Sequence, residues 1–518
     1  VHRWYIKWTF TILGTFLVIM AASCREDFEY VPSTGNLEFS KDTVFLDTVF
    51  TTIGSSTYAL KVYNRSNEDI LIPYVGLETG QNSSYRLNVD GLPGKEFDDV
   101  PLLAKDSLYV FIETTFDVSQ TSENEFLYAE SLLFGSGPST QKVELVTLVR
   151  DAVFLYPKTL SDGTKESLLL GMDENGEEIK VEGFYLEPDE LTFTNEKPYV
   201  VYGYAAIPEG NTLSMQPGTR VHFHKNSGIL VDAGASLSIN GELSEDQELL
   251  ENEVIFEEDR LEPSYADQPG QWGTIWIREG SNNNQINHLT LKNATVGLRI
   301  EGDGMLDSPT LTIGNSQVYN SQNHNVWSTG GHIIAENTVL GSAGGSSFHG
   351  ELGGKYSFIH CTLANYWNKG FRNGAALSLK NFTLLPSGDR TTAPLESADF
   401  ANSIIFGSAP TELILQQDSS SDFNFSFNSC LIKFDLSDDT VNENSLYNFD
   451  NSSFYRKIVF NEDPEFVNQT KNQLNINENS AAIDLADPDV SLAVPIDILG
   501  TDRLQNPDIG AYQFITNN

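Results

Sequence analysis

Trp327, His349 and Arg372 stand 22 and 23 residues apart, and His324, Ser346 and Lys369 repeat the same intervals. In a chain that repeats one structural unit at that period, each trio occupies an equivalent position on three successive units. Trp, two His, Lys and Arg then share one patch, with Tyr366 and Trp367 beside it in sequence. An aromatic platform flanked by cations suits a sugar ring bearing a carboxylate or sulfate: the ring stacks, and the cations supply charge-assisted hydrogen bonds. Trp327, His349, Lys369, Arg372, His324 and Trp367 are therefore the candidate ligand-binding residues. The bland alternative is that they are ordinary exposed side chains at wide corners. Catalysis by the same patch would rest on Lys369, Arg372 and His349, but Glu351 is the only acid close in sequence, and no carboxylate constellation is visible.

Other groupings carry less. His222 and His224 alternate on one strand and are expected to point outward together, where two imidazoles without a third ligand are ordinarily just exposed. Glu301, Asp303 and Asp307 would begin a calcium site, although Gly302 and Gly304 read equally well as loop punctuation. There is no Gly-rich phosphate loop, CxxC pair or HExxH. No cofactor is expected, and calcium lacks a clear site. With 31 Lys and Arg against 72 Asp and Glu, a formal charge of −41, the chain repels phosphates, which excludes nucleic acid as a partner.

The elements that must position these residues are short strands. In NTLSMQPGTRVHFHKNSGILVDAGASLSINGEL, the inward candidates Leu213, Val221, Ile229 and Leu237 fall eight residues apart, separated by Pro217-Gly218, Asn226 to Gly228 and Ala233 to Ala235. Three such faces make a turn of 24 residues, the period of a parallel β-helix coil. A second register recurs further on. His288, Asn315, Asn337, His360, Asn402 and Ser429 are separated by 27, 22, 23, 42 and 27 residues, and the 42 marks a coil with a long loop. Strands in such a coil span only a few residues, alternate in and out, and turn at Asn and Gly corners that tolerate a left-handed backbone. The residues that follow, Leu289, Ser316, Thr338, Cys361, Ser403 and Cys430, share one rung position. Cys361 and Cys430 then lie two coils apart, about 10 Å at the usual strand spacing, too far for a disulfide. Both are expected to be buried and reduced.

Ahead of this array, residues 36–150 contain seven alternating runs broken by Gly, Asn, Asp and Pro, which read as an Ig-like antiparallel β-sandwich. Residues 151–190, with a DENGEE turn signal, read as a connector or extra hairpin. The start, VHRWYIKWTFTILGTFLVIMAASC, places Arg3 and Lys7 before an apolar run and small residues before Cys24, the pattern of a secretory signal over residues 1–23.

Ala21-Ala22-Ser23-Cys24 resembles the bacterial lipobox, in which the cysteine is lipidated, and Arg25-Glu26-Asp27 resembles the acidic export tag of Bacteroidetes surface lipoproteins. PGTRVHFHKNSGILVDAGASLSING followed by GQWGTIWI resembles right-handed β-helix proteins of the pectin-lyase-like superfamily. DPEFVN, NSAAIDLA and GTDRLQNPDIGAYQF resemble the closing motif of choice-of-anchor-like surface proteins. These resemblances imply an all-β chain: a lipidated Cys24, a tether over 24–35, the sandwich, a right-handed parallel β-helix over 191–475 and a closing motif over 476–518. They imply an outer-membrane or cell-surface address, with the membrane engaged through the N-terminal lipid. One β-helix scaffold hosts lyases, hydrolases, adhesins and spacers. The expected function is non-catalytic binding of a glycan, such as a polysaccharide, or of a partner. The alternative is a polysaccharide lyase or glycoside hydrolase.

Overall fold

Alternation of apolar and polar residues along runs of three to eight residues leaves each strand one face to bury, and the chain meets that need in two different ways. The computed structural model describes residues 29–116, 125–173, 175–302, 307–385, 388–437 and 444–515. Cys24, Asp303 and the rest of the N-terminal signal lie outside the described residues. The chain divides between Arg150 and Asp151 into two units.

The first unit is a β-sandwich. One sheet runs 31–32, 70–77, 125–134, 141–150 and 43–50, with 96–102 also paired to 70–77; the other runs 37–39, 58–64, 107–114, 85–89 and 92–94. Alternate residues such as Leu60, Val62, Val110 and Ile112 from one sheet meet Ile72, Leu132, Val143 and Leu145 from the other in a single core. The side chains between them face solvent, as half-buried sheets require; the sandwich is not wholly antiparallel as expected, because 43–50 runs parallel to 141–150 and 31–32 parallel to 70–77.

The second unit is a parallel β-helix with three long sheets of 11, 10 and 10 strands. Successive strands go to successive sheets, so each coil contributes one strand to each. On the first face, for example, 289–292, 317–319, 339–340 and 362–365 follow one another; on the second, 298–301, 326–329, 348–351 and 377–380; on the third, 311–314, 332–336, 354–359 and 395–401. Leu213, Val221, Ile229 and Leu237 are all fully buried in the one continuous core. On the second face a hairpin of 167–172 with 178–185 opens the sheet, and only that pair is antiparallel.

The residues of the second register are the corners between the third and first faces. His288, Asn315, Asn337, His360, Asn402 and Ser429 all have φ between 46° and 51°. This left-handed region costs little for Asn, whose short amide can hydrogen-bond locally. The amides also link coils: Asn337 Nδ2 donates to Asn315 Oδ1 at 2.9 Å, and Asn315 Nδ2 to Asn287 Oδ1 at 3.0 Å. One position on, Cys361 and Cys430 are buried and free, and burial pushes both thiols up to about 12. The long interval between His360 and Asn402 holds two excursions, a loop over 366–376 and a hairpin of 382–384 with 390–392.

Phe434, Tyr447, Phe449 and Tyr455 pack against one another at the last coil. The chain then folds back along the outside of the first face, where Leu474, Ile476, Ala482, Ile498, Ile509 and Ala511 meet Ala364, Ile404, Phe406 and Leu431. Arg503, fully buried, donates to Asn337 Oδ1 at 3.1 Å and to the carbonyls of Gly510 and Ala511 at 3.2 Å each. His360 Nε2 meets Ser491 Oγ at 2.9 Å, and Asn402 Nδ2 donates to Asp487 O at 3.0 Å. The corner ladder is thus also the strip on which the closing segment docks. Among the described residues no helix is long and apolar enough to cross a membrane.

Candidate functional site

Each strand of the second face turns alternate side chains outward, and parallel pairing without register shifts stacks them into ladders. The central ladder reads Trp276, Arg299, Trp327, His349, Ser378 and Ile414 over successive coils. Arg299 lies between two indoles, its guanidinium carbon 4.0 Å from the Trp276 ring centre and 5.4 Å from that of Trp327. Such a position favours a planar, delocalised cation over a compact ammonium. His324, from the corner before 326–329, stacks on His349 with ring centres 4.7 Å apart and meets Trp327 edge-on at 5.8 Å. Burial, helped by the neighbouring His349, pushes His324 down to about 3, and its Nδ1 accepts from Ser346 N at 2.9 Å. It is therefore neutral at physiological pH.

Beside this ladder runs a second, with Glu301, Thr329 and Glu351 in register and Lys380 on the following strand. Glu351 collects its neighbours: Lys380 Nζ at 2.9 Å, Trp327 Nε1 at 3.3 Å, His349 Nε2 at 3.8 Å and the Thr383 hydroxyl. Burial alone would raise the Glu351 carboxyl. The contacts with His349, Thr383 and Lys380 outweigh it and hold the group well below the usual carboxylate range. Arg299 in turn pairs with Glu301 at 2.8 Å.

The structure unites Trp327, His349, His324 and Ser346 but separates the rest of the expected patch. Val326 and Phe348 stand ten residues after Ser316 and Thr338, whereas the matching Leu377 stands sixteen after Cys361. The extra residues form the 366–376 loop. Phe371, next to Arg372 in that loop, is 91 % exposed, and the rung expected for Arg372 is filled by Ser378. Arg372 instead turns back under the loop onto the fully buried Glu412, contacting it through both terminal nitrogens, and donates to Asn365 O at 2.8 Å. Burial raises the Glu412 carboxyl against the pull of Arg372. Lys369 is exposed in the same loop, off the ladder. Trp367 lies against Gly344, where a Cβ would come within 3.2 Å of its ring. Tyr366 belongs to the other side, meeting Phe466 of the closing segment at 6.1 Å.

His222 and His224 do not form an open pair. His222 is buried, 2.9 Å from Glu258 O and 3.7 Å from Glu257, while His224 pairs with Asp259 at 2.8 Å, which raises its pKa, and stacks on Tyr202. Among the described residues no group of three or more His, Cys, Asp or Glu is placed to hold a metal. Glu301 is committed to Arg299 rather than to a calcium loop.

Sequence counting missed Trp276, Arg299 and Lys380. Trp327 and His349 each stand twelve residues after their corners, Asn315 and Asn337, but the residue twelve after the corner His288 is the inward Ile300, because Leu298 follows Leu289 by nine residues rather than ten. The outward alternation of LRIE, with Arg299 and Glu301 flanking Ile300, was the available signal.

Fold and site together define an all-β protein whose parallel β-helix carries an aromatic strip along one face, edged by paired charges. No family model and no curated protein matches this chain. Among solved structures, the ASH/PapD-like domain of human CEP192 (PapD-like domain 7) is similar at 11 % identity. The match covers 25 % of this chain and 94 % of that one, with a TM-score of 0.15, which says nothing about the fold or function here.

Proposed function

We propose that this is a non-catalytic, lipid-anchored cell-surface protein whose β-helix binds a glycan along its second face. The observation that carries the reading is the outward ladder Trp276, Arg299, Trp327 and His349, with Glu351 beside it. Its rungs repeat at about 4.8 Å, so an extended saccharide laid along the axis meets a new side chain at each step. On the two ladders Arg299 faces Glu301 and Lys380 faces Glu351, while Arg372, off the ladders, is held by Glu412. The strip therefore has no surplus positive charge, and a sugar held by stacking and hydrogen bonds fits better than the strongly acidic one expected from residue types alone. The ionised, cation-bound Glu351 also suits an acceptor of sugar hydroxyls more than a general acid.

Calorimetric titration of the full chain with neutral and with sulfated or uronic oligosaccharides tests this. Trp327→Ala is expected to weaken binding of a neutral oligosaccharide by about 1–3 kcal/mol. No heat with any neutral glycan, or binding indifferent to Trp327→Ala, defeats the reading. Anchoring rests on the segment ending at Cys24: Cys24→Ser is expected to abolish metabolic lipid labelling, and unchanged labelling removes the anchor from the proposal.

A further inference from the structure

The outer face of the sandwich sheet made by 58–64, 107–114, 85–89 and 92–94 carries a band of partly exposed aromatic side chains. Tyr109 and Phe111, two apart on one strand, are 47 % and 40 % exposed, with ring centres 6.0 Å apart and planes within 14°. The band continues across the sheet. Lys61 lies 5.2 Å from the Tyr109 ring centre and 5.3 Å from that of Tyr63, and Arg65 covers Tyr63 at 4.2 Å.

Phe111 is opposed by Ala59 on one side and Asn88 on the other. Beyond Asn88 the ring forms a wall of a cleft of about 570 Å³, lined also by Arg86, Lys95, Glu96 and Glu113. That volume lies within the range of about 300–1,000 Å³ typical of small-molecule sites.

The lining balances its own charge. Two cations and two carboxylates line the cleft: Lys95 Nζ donates to the carbonyls of Gln81 and Ser83 at 2.9 and 2.6 Å, and Arg86 donates to Thr115 Oγ1 at 2.9 Å with Glu113 3.7 Å away. Gln81 Nε2 donates to Glu96 Oε2 at 2.9 Å. With two charges of each sign, the lining has no net positive charge to attract a phosphate or carboxylate ligand. A polyol would find donors and acceptors in alternation beside one apolar ring, and that is the surface of a pyranose, with hydroxyls at its edge and C–H bonds on its face.

We propose that this cleft, with Phe111 as its stacking wall, is a second and separate carbohydrate site that takes an uncharged hexose unit. It stands on the sandwich alone and does not depend on the β-helix strip.

Saturation-transfer difference NMR of the full chain with the methyl glycosides of glucose, galactose and mannose, at millimolar concentration, provides the test. At least one glycoside is expected to receive saturation, and the signal is expected to fall about 2- to 10-fold in Phe111→Ala. Phe111→Tyr, which keeps the ring, should retain it, and the series is repeated in a Trp327→Ala background, where any share of the signal that arises at the β-helix strip is removed and the Phe111-dependent share remains. Because Phe111 is a solvent-facing side chain, circular dichroism of Phe111→Ala should match the parent; Glu96→Gln, which removes a lining acceptor, gives an independent loss. The proposal is overturned if none of the three glycosides receives saturation, or if the signal survives both Phe111→Ala and Glu96→Gln. It is also overturned if only Trp327→Ala abolishes the signal, a result that would assign binding to the β-helix instead.

Discussion

Glu351→Gln separates the electrostatics of the strip from its shape. Gln keeps one acceptor oxygen, enough for Trp327 Nε1, which donates to Oε2, or for the Thr383 hydroxyl, which donates to Oε1, and loses the charge opposite Lys380, 2.9 Å away. The side chains of Glu351 and Lys380 are 11 % and 21 % exposed, between a surface pair and a fully buried one. Surface pairs contribute about 0–1 kcal/mol, and removing one partner of a buried pair costs about 3–5 kcal/mol. A loss of about 2 kcal/mol is therefore expected at neutral pH. The pH dependence has a definite sign. A carboxyl held below its ordinary value contributes stability that is fully present above its unfolded pKa, about 4.3, and is lost as pH falls through its folded value. The variant has no such group, so the difference between parent and variant should shrink on acidification below about pH 4.3. Urea unfolding followed by tryptophan emission measures it cleanly. Of six tryptophans, Trp272, Trp276, Trp327 and Trp367 lie in the β-helix and the other two within residues 1–23, so a chain begun after that segment reports the β-helix alone. A neutral-pH loss below about 0.5 kcal/mol, or a difference that widens on acidification, would refute the account of Glu351 given above.

Arg372→Ala should act on stability rather than on ligand binding. It strands the fully buried Glu412 without its partner, at a cost of about 3–5 kcal/mol, visible as a lower thermal midpoint, and a midpoint unchanged in this variant would contradict the buried pair. Cys361 and Cys430, buried with thiols pushed up to about 12, should resist alkylation by a maleimide in the native protein and react together on denaturation. Fast native labelling of either would break the rung assignment.

The legible part of the fold was local. The eightfold spacing of Leu213, Val221, Ile229 and Leu237 placed four inward side chains correctly, because alternation and a short polar corner are properties of a few adjacent residues. The corner register was equally visible, and all six of its residues adopt the left-handed backbone, including His288, His360 and Ser429, which lack the intrinsic ease of Asn. Stacking on equivalent corners above and below holds them there. The candidate site was half legible. Trp327 and His349 came out in register because the coils at Ser316 and Thr338 have equal spans. Arg372 did not, because an insertion between Cys361 and Leu377 is invisible to counting unless its length is known.

What the sequence alone determined is therefore the repeat: which residues point inward, where the chain turns, and that two thiols share a rung too far apart to bond. Tertiary structure decided the partnerships. Arg372 finds Glu412 40 residues away, and Arg503 reaches Asn337 across 166 to pin the closing segment on the first face. Arg299 is held between Trp276 and Trp327 only because two coils of unequal length come into register when stacked. Side-chain alternation is fixed by backbone geometry within a strand and can be read residue by residue. A contact between coils depends on the summed length of everything between them, and that sum is settled only when the sheets pair.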